Sequence, residues 1–176
     1  MKFHPTALPG AYLIELEPIR DERGYFARTW CQRELADQGL EATVVQCSLS
    51  HNLRPGTVRG MHLQRAPHEE TKLVRCNRGA IYDVLVDLRP ASPTHRQWQG
   101  FELTADNHRM LYIPPGLAHG FQTLAADCDV FYMMTTWYQP ASAAGVRWDD
   151  PAFGIQWPLP VSMISERDRL YPDYSA

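Results

Sequence analysis

Short apolar segments separated by turn-forming residues dominate the chain after residue 43. They are rich in β-branched and aromatic side chains, and glycine, proline, asparagine or aspartate lies between them. The predicted strands, including an earlier alternating segment, are 11–17, 73–76, 81–88, 98–104, 110–113 and 130–136. This spacing is typical of a β-sandwich or β-barrel. Strands and helices do not alternate, so the pattern disfavours a parallel nucleotide-binding fold.

One segment has the features of a helix. Residues 30–38 contain good helix formers, with Trp30, Leu35 and Ala36 as the apolar positions and Gly39 as the C-terminal stop. From residue 149 onward the chain is rich in proline, which predicts an extended C-terminal tail. Because 176 residues fit one ordinary domain, we expect a single all-β domain over residues 1–176.

Composition and charge exclude several classes of partner. The net charge is −3 and the basic residues are scattered, so we expect no nucleic-acid partner. The longest apolar segments are strand-sized and carry charges such as Asp83, so we expect no membrane span. The first residues have no apolar segment typical of a secretory leader and no cysteine pair has C-x-x-C spacing, so we expect a cytoplasmic protein. The cysteines are Cys31, Cys47, Cys76 and Cys128.

Two segments carry candidate chemistry. The first, 59–64, reads Arg-Gly-Met-His-Leu-Gln and leads into 67–74, Pro-His-Glu-Glu-Thr-Lys-Leu-Val. The second, 114–121, reads Pro-Pro-Gly-Leu-Ala-His-Gly-Phe. Each places a histidine beside a glycine, on or next to a predicted strand, so His62 and His119 are candidate site residues.

Strand geometry sets a condition on the first segment. In a regular strand Arg59 and His62 point to opposite faces. A bulge at Gly60 would allow both side chains to line one cavity. Lys72 and Asp83 each share a strand face with bulky apolar residues. A charge inside a barrel is costly unless it is paired or contacts a ligand, so both are candidates for a site.

Several motifs, taken in order, resemble the dTDP-4-dehydrorhamnose 3,5-epimerase family. The resemblance covers nearly the whole chain, from residue 23 to residue 168. Its motifs are Arg-Gly-Tyr-Phe at 23–26, Arg-Gly-Met-His at 59–62, Lys-Leu-Val-Arg at 72–75, Arg-Gly-Ala-Ile-Tyr-Asp at 78–83, the second histidine segment, Gly-Val-Arg-Trp-Asp-Asp-Pro at 145–151 and Ser-Glu-Arg-Asp at 165–168.

The resemblance implies a cupin-like jelly-roll barrel, a homodimer, and a cofactor-independent epimerase acting on dTDP-4-dehydro-6-deoxyglucose. It implies that His62 is the base, Tyr132 the acid, Asp168 the carboxylate that orients the histidine, and Lys72 the group near the 4-keto oxygen. It also implies a set of substrate or nucleotide contacts, with Tyr138 stacking on thymine. That set is Arg23, Phe26, Gln46, Arg59, Asp83, His119, Tyr138 and Arg167.

The implied reaction requires these residue types. Removal of a proton beside a ketone creates an enolate whose charge lies mainly on the former carbonyl oxygen, where Lys72, with Arg59, would stabilise it. Histidine, with an unperturbed pKa of about 6.5, suits the role of base near neutral pH. Inversion needs a proton from the opposite face of the ring. Tyr132 can supply it because a phenol with a pKa of about 10 stays protonated.

Each candidate also has an ordinary structural interpretation. A strand histidine is more often structural than catalytic, and His119 could stabilise a turn. Tyr132 and Tyr138 suit a barrel core, and Lys72 suits a solvated strand edge. Asp168 lies in a run of charged residues and could be simply exposed.

Two other functions remain open from the sequence. Many cupin barrels bind a metal through His-x-His, a glutamate and a later histidine, which His62, Glu69 and His119 partly reproduce. Position 64 is Gln rather than His, which weakens the hypothesis of a metal-dependent isomerase or dioxygenase. Metal analysis and chelation would identify such an enzyme. A sugar-nucleotide binding protein without catalysis is the other alternative.

The chain also departs from the family at the nucleotide end. Arg28 and Ala143 replace common glutamates, and Ser48-Leu49-Ser50 replaces an Asn-His-Ser segment. The reaction class is therefore better defined than the exact sugar or nucleotide, and the sequence leaves open whether one or two carbon centres react.

Overall fold

The computed structural model describes residues 1–41 and 43–175, and its regular structure is mainly antiparallel strand. The elements are, in chain order, β1 (Lys2–Pro5), β2 (Tyr12–Glu15), β3 (Ile19–Asp21), β4 (Gly24–Phe26), α1 (Gln32–Asp37), β5 (Gln46–Asn52), β6 (Val58–Gln64), β7 (Lys72–Arg78), β8 (Ala80–Asp87), β9 (Trp98–Thr104), β10 (Arg109–Ile113), β11 (Leu117–Thr123), β12 (Cys128–Met134), β13 (Ala143–Gly145) and α2 (Glu166–Arg169).

Two large sheets form the body of the molecule. One has the strand order β1-β2-β10-β7-β12-β5 and the other β13-β6-β11-β8-β9, while β3 and β4 form a separate hairpin. Neighbouring strands in both sheets are antiparallel. The all-β, cupin-like jelly roll expected from the sequence is confirmed.

The main core lies between the two sheets. Alternating residues of β7, β10 and β12 meet alternating residues of β8, β9 and β11 in one apolar cluster. Burying each large apolar side chain stabilises the fold by about 2 kcal/mol. Fully or almost fully buried members of this cluster include Val74, Leu111, Val130, Ile81, Leu85, Leu103 and Phe121.

All six predicted strands are present, with boundaries that shift by at most two residues. Bounds were not predicted for β1, β3, β4, β5, β6, β11 or β13. Of these, β6 and β11 contain the two histidine segments, which were expected only on or next to a strand. The strands β1, β5 and β13 lie at sheet edges, where one side of the strand has no neighbour and fewer positions are buried. Edge strands therefore carry a weaker apolar pattern than central ones.

The predicted helix is present but shorter than expected. It begins at Gln32 because Cys31, the residue before it, is extended and provides no side-chain cap. Gly39 follows the helix with a φ of +71°, as expected of a stop signal. Leu35 is fully buried and packs in a cluster with Leu73 on the outer face of the six-stranded sheet.

The C-terminal tail runs largely without regular structure, in agreement with its proline content, except for one turn of helix, α2. Ser165 caps this turn, because its Oγ accepts a hydrogen bond from the Asp168 backbone N–H at 3.1 Å. The proline content had predicted extended chain at these residues. Among residues 1–41 and 43–175, no helix is long and apolar enough to cross a bilayer.

Candidate active site

A cleft with two adjoining lobes lies on the β5, β6, β7 and β12 side of the barrel. The first lobe has a volume of about 570 Å³ and the second about 450 Å³. Both are lined by His62, Lys72, Tyr132 and Arg167. Arg59, His119 and Asp168 line only the first lobe, and Gln46 and Tyr138 only the second. The structure therefore brings most of the predicted site residues into one cleft.

A bulge at Gly60 makes the first lobe possible. The pairing of β6 with β11 shifts by one residue between His62 and Arg59, so that both side chains line the cavity. Gly60 has a φ of +130°, and a Cβ atom there would lie 2.5 Å from the Cα of Gly120. Only glycine satisfies both conditions. The sequence allowed a bulge at Gly60, and the structure has one.

His62 is hydrogen-bonded to a buried carboxylate. Its Nε2 lies 2.6 Å from Oδ1 of Asp168, and Oδ2 of Asp168 accepts from the Gly60 backbone N–H at 3.2 Å. A carboxylate only accepts, so Nε2 carries the hydrogen and Nδ1 is left free to accept a proton. The imidazole is 39% exposed, whereas Asp168 is 5% exposed. This is the arrangement expected of an oriented general base.

The surroundings of Asp168 keep it ionised. Burial alone would raise its pKa, but hydrogen bonds and charge from His62, together with bonds from Gly60 and Ser165, hold the pKa below the ordinary value of 3.8. The stabilisation from this carboxylate is therefore complete above about pH 4 and is lost as pH falls through the lowered folded-state pKa.

Asp168→Asn is expected to lower the free energy of unfolding by about 2 kcal/mol at pH 7, because a hydrogen-bonded carboxylate is replaced by a neutral amide. The stability difference from the wild type should shrink once the pH falls below the folded-state pKa of Asp168, where the wild-type carboxyl is protonated. Urea unfolding at pH 7 and at decreasing pH below 4 measures this difference. A constant difference across that range would contradict the assigned ionisation.

Tyr132 reaches the cleft from the sheet opposite His62. It lies on β12, and its ring contacts that of His119 edge to face, with centroids 6.1 Å apart. Burial, followed by the negative charge of Asp83, raises the pKa of Tyr132 above the ordinary value of 10, while Arg59 acts in the opposite direction. The phenol therefore stays protonated and available as a proton donor.

Two cations are held in place by polar partners. Lys72 Nζ lies 3.1 Å from Oε1 of Glu70 and donates to the His62 carbonyl at 3.4 Å. Arg59 donates through Nε to Oδ1 of Asn52 at 2.7 Å. Both cations border the first lobe, where a developing negative charge on a ligand would be stabilised.

His119 lines the cavity, but Asp83 does not. His119 Nε2 lies 2.9 Å from Oδ2 of Asp83, whose side chain is 0% exposed. Complete burial raises the pKa of Asp83, and His119 and Lys72 offset this only in part. The prediction of Asp83 as a substrate contact requires correction: alternation assigned its face correctly, but the residue lies behind His119 rather than at the cavity surface.

The second lobe has aromatic and polar walls. Tyr138 is 54% exposed, and its backbone N–H donates to Oε1 of Gln46 at 3.0 Å. Arg167 is hydrogen-bonded to the hydroxyls of Tyr138 and Tyr171, which raises the pKa of the guanidinium. This lobe thus offers an exposed ring beside a cation.

Two predicted contacts lie away from the cleft of this chain. Arg23 and Phe26 are on the β3–β4 hairpin, and neither lines the lobes that contain His62. Arg23 is 84% exposed and pairs with Asp21, and Phe26 is 75% exposed. Motif resemblance alone could not distinguish a contact made within one chain from a contact made elsewhere.

The residues of the metal alternative do not form a cluster. Within residues 1–41 and 43–175, no group of three His, Cys, Asp or Glu side chains is arranged to hold a metal ion. Glu69 is exposed. The His62 nitrogen that faces the protein is hydrogen-bonded to Asp168, and His119 is bonded to Asp83.

Sequence reasoning missed three supporting residues: Asn52, Glu70 and Ser165. Asn52 holds Arg59, Glu70 pairs with Lys72, and Ser165 caps the turn that carries Asp168. Glu70 lies in the first histidine segment, two positions before Lys72, the first residue of β7. That spacing was the available signal. Asn52 gave no comparable signal.

Comparison with known proteins gives a consistent result. The family model described as dTDP-4-dehydrorhamnose 3,5-epimerase matches residues 5–176. The dTDP-4-dehydrorhamnose 3,5-epimerase of Methanothermobacter thermautotrophicus is 45% identical over 171 residues, which cover 96% of this chain and 91% of that protein.

Solved structures agree with the sequence comparison. The dTDP-4-dehydrorhamnose 3,5-epimerase of Bacillus anthracis, solved with TDP and PPi bound, is 40% identical with a TM-score of 0.95, covering 98% of this chain and 99% of that one. A 3'-monoepimerase from Streptomyces bikiniensis in complex with dTDP-quinovose is 31% identical with a TM-score of 0.91, covering 97% and 86%. From its fold and its full-length similarity, this chain belongs to the dTDP-4-dehydrorhamnose 3,5-epimerase family of isomerases.

Proposed function

We propose that this protein epimerises C3 and C5 of dTDP-4-dehydro-6-deoxyglucose, giving a dTDP-4-dehydrorhamnose-type product in deoxysugar biosynthesis. We also propose that residues 1–176 act as one domain and that the reaction uses no metal or nucleotide cofactor. The observation that carries the proposal is the cleft between the two sheets. It has an oriented imidazole from β6 on one side, a protonated phenol from β12 on the other, and Lys72 beside them.

The proposed steps follow from this geometry. His62 takes the proton from the carbon beside the ketone through Nδ1, while Asp168 holds Nε2 and stabilises the imidazolium that forms. Lys72, with Arg59, stabilises the negative charge on the 4-keto oxygen. Tyr132 then donates a proton from the opposite face, which inverts the centre. His119 contacts the sugar, and buried Asp83 positions it.

We assign the nucleotide to the second lobe. Exposed Tyr138 offers a ring for stacking on thymine, Gln46 lies beside it, and Arg167 offers charge to the diphosphate. Arg28, which replaces a glutamate of the family, forms an ion pair with Glu34 at 2.6 Å and lines neither lobe. The Bacillus anthracis relative, solved with TDP and PPi bound, supports a ligand of this class.

Reaction at C3 alone is the second candidate. It is favoured by the 0.91 TM-score to the 3'-monoepimerase. The double reaction has more support, because the relative of 45% identity is a 3,5-epimerase, whereas the monoepimerase is 31% identical.

Deuterium incorporation tests the proposal. In heavy water, incubation with dTDP-4-dehydro-6-deoxyglucose should place deuterium at C3 and C5, because each inverted centre takes its new proton from the enzyme and hence from solvent. Mass and NMR spectra of the product locate the label. Label at C3 alone would identify the single-centre reaction. No label with any nucleotide 4-keto sugar would overturn the function.

We further propose a cytoplasmic homodimer in which the β3–β4 hairpin of one copy reaches the cleft of another. The hairpin presents Ile19 and Phe26, which are 72% and 75% exposed, so it carries apolar surface suited to a second copy. This places Arg23 and Phe26 at a substrate site in the dimer. Sedimentation should give twice the mass of 20.1 kDa. A monomer at micromolar concentration would overturn the assignment.

The cysteines of the described residues are free, which suits a reducing compartment such as the proposed cytoplasm.

A further inference from the structure

The side-chain amide of Gln64 makes polar contacts with backbone groups outside its own strand. It is the last residue of β6, two positions after His62, and is 3% exposed. Its Oε1 accepts from the Gln139 backbone N–H at 2.7 Å, and its Nε2 donates to the His68 carbonyl at 3.0 Å. Nε2 also lies 3.4 Å from the Trp137 carbonyl. The amide therefore joins β6 to two loops that follow different strands.

These two loops serve the two ends of the cleft. The segment 137–139 carries Tyr138, whose own N–H is held by Gln46. The segment 65–71 carries Glu70, whose Oε2 lies 3.5 Å from Gln64 Nε2 and whose Oε1 lies 3.1 Å from Lys72 Nζ. A chain of polar contacts thus runs from the Tyr138 loop through Gln64 and Glu70 to the lysine.

We propose that Gln64 is a positioning residue that fixes the distance between the nucleotide end and the reaction end of the cleft, by holding the Tyr138 loop and the Glu70–Lys72 pair with one side chain. The inference rests on the proposed function. A buried amide saturated by backbone partners in two loops has a rigid location, because each lost bond would leave a buried polar group unpaired. Position 64, which is histidine in many metal-binding cupins, here holds a glutamine that connects the two loops.

Gln64→Glu tests this positioning role with little change in volume. A carboxylate still accepts from Gln139 but has no hydrogen for the His68 and Trp137 carbonyls, and it places a second negative charge beside Glu70. We expect dTDP to bind about tenfold more weakly at pH 8, in part because Gln64 lines the second lobe and a carboxylate there repels the diphosphate. The loss in kcat at saturating substrate is the readout of positioning, because it reports the lost support of both ends of the cleft. Protonation of one carboxyl at lower pH restores a donor, so the deficit should narrow as pH falls.

Gln122→Glu is the matched control. Gln122 is also a fully buried glutamine, on the neighbouring strand β11, and it is bonded through both amide atoms to the backbone of Leu159, at 2.8 and 2.9 Å. Unlike Gln64, which lines the second lobe, it lines neither lobe of the cleft. Its substitution should lower the melting temperature without changing the dTDP dissociation constant or the shape of the pH profile.

Calorimetric titration with dTDP and initial rates at pH 6 to 9 provide the readouts. Wild-type-like binding and turnover by Gln64→Glu at every pH would overturn the inference, as would equal losses in Gln64→Glu and Gln122→Glu. Failure of the proposed function has a different signature: the wild type itself would incorporate no deuterium. Normal deuterium labelling by the wild type, together with an unaffected Gln64→Glu variant, would reject the positioning role of Gln64 and leave the proposed function intact.

Discussion

His62→Gln should lower kcat by about a thousandfold, because it removes the group that takes the proton from C3. The Nε2 of glutamine reaches the position of the imidazole Nε2 and can still donate to Asp168, which lies 2.6 Å from that nitrogen in the wild type. The fold and the dTDP dissociation constant should therefore be nearly unchanged. Deuterium incorporation from heavy water should fall together with turnover, since abstraction of the proton precedes every later step.

A second histidine–aspartate pair provides the control for this prediction. His51 Nδ1 lies 2.7 Å from Asp129, and the imidazole is 46% exposed. Its side chain lines neither lobe of the cleft. His51→Asn should therefore keep the wild-type kcat. Full turnover by His62→Gln, or an equal loss of activity in both variants, would show that the base lies elsewhere.

The fold was accessible from the sequence because its signals are local. Turn residues at short intervals mark the ends of strands, and strands such as β8 carry clear apolar patterns. The helix stop at Gly39 and the bulge at Gly60 were readable for the same reason, since a positive φ favours glycine. Edge strands such as β5 were not delimited, because partial exposure weakens the pattern.

The site was accessible only in part, because its contacts are remote in sequence. Asp168 meets His62 across 106 positions, and Gln64 meets Gln139 across 75. Resemblance to a family located Asp168, but no spacing rule could have placed its carboxylate at the imidazole. The depth of a side chain below the cavity surface was not predictable either. Alternation gives the strand face of Asp83 but does not show that His119 lies between it and the cavity.

Tyr132→Phe should separate proton exchange from inversion. Without the phenol, His62 can still remove the proton from C3 and return a solvent-derived one to the same face, so label enters the substrate with its configuration retained. Inversion should fall by about a hundredfold or more, because no positioned acid remains on the opposite face. NMR distinguishes labelled substrate from labelled product and so measures both rates in one reaction.

Tyr112→Phe controls for the loss of a buried hydroxyl. Tyr112 is 3% exposed on β10, accepts from the Glu41 backbone N–H at 2.9 Å, and has a pKa raised by burial, as Tyr132 has. Removing its hydroxyl should lower the free energy of unfolding by about 1 kcal/mol and leave inversion intact. If Tyr132→Phe loses exchange and inversion in equal measure, the phenol assists the first proton transfer instead. If it loses neither, the acid on that face is a group other than Tyr132.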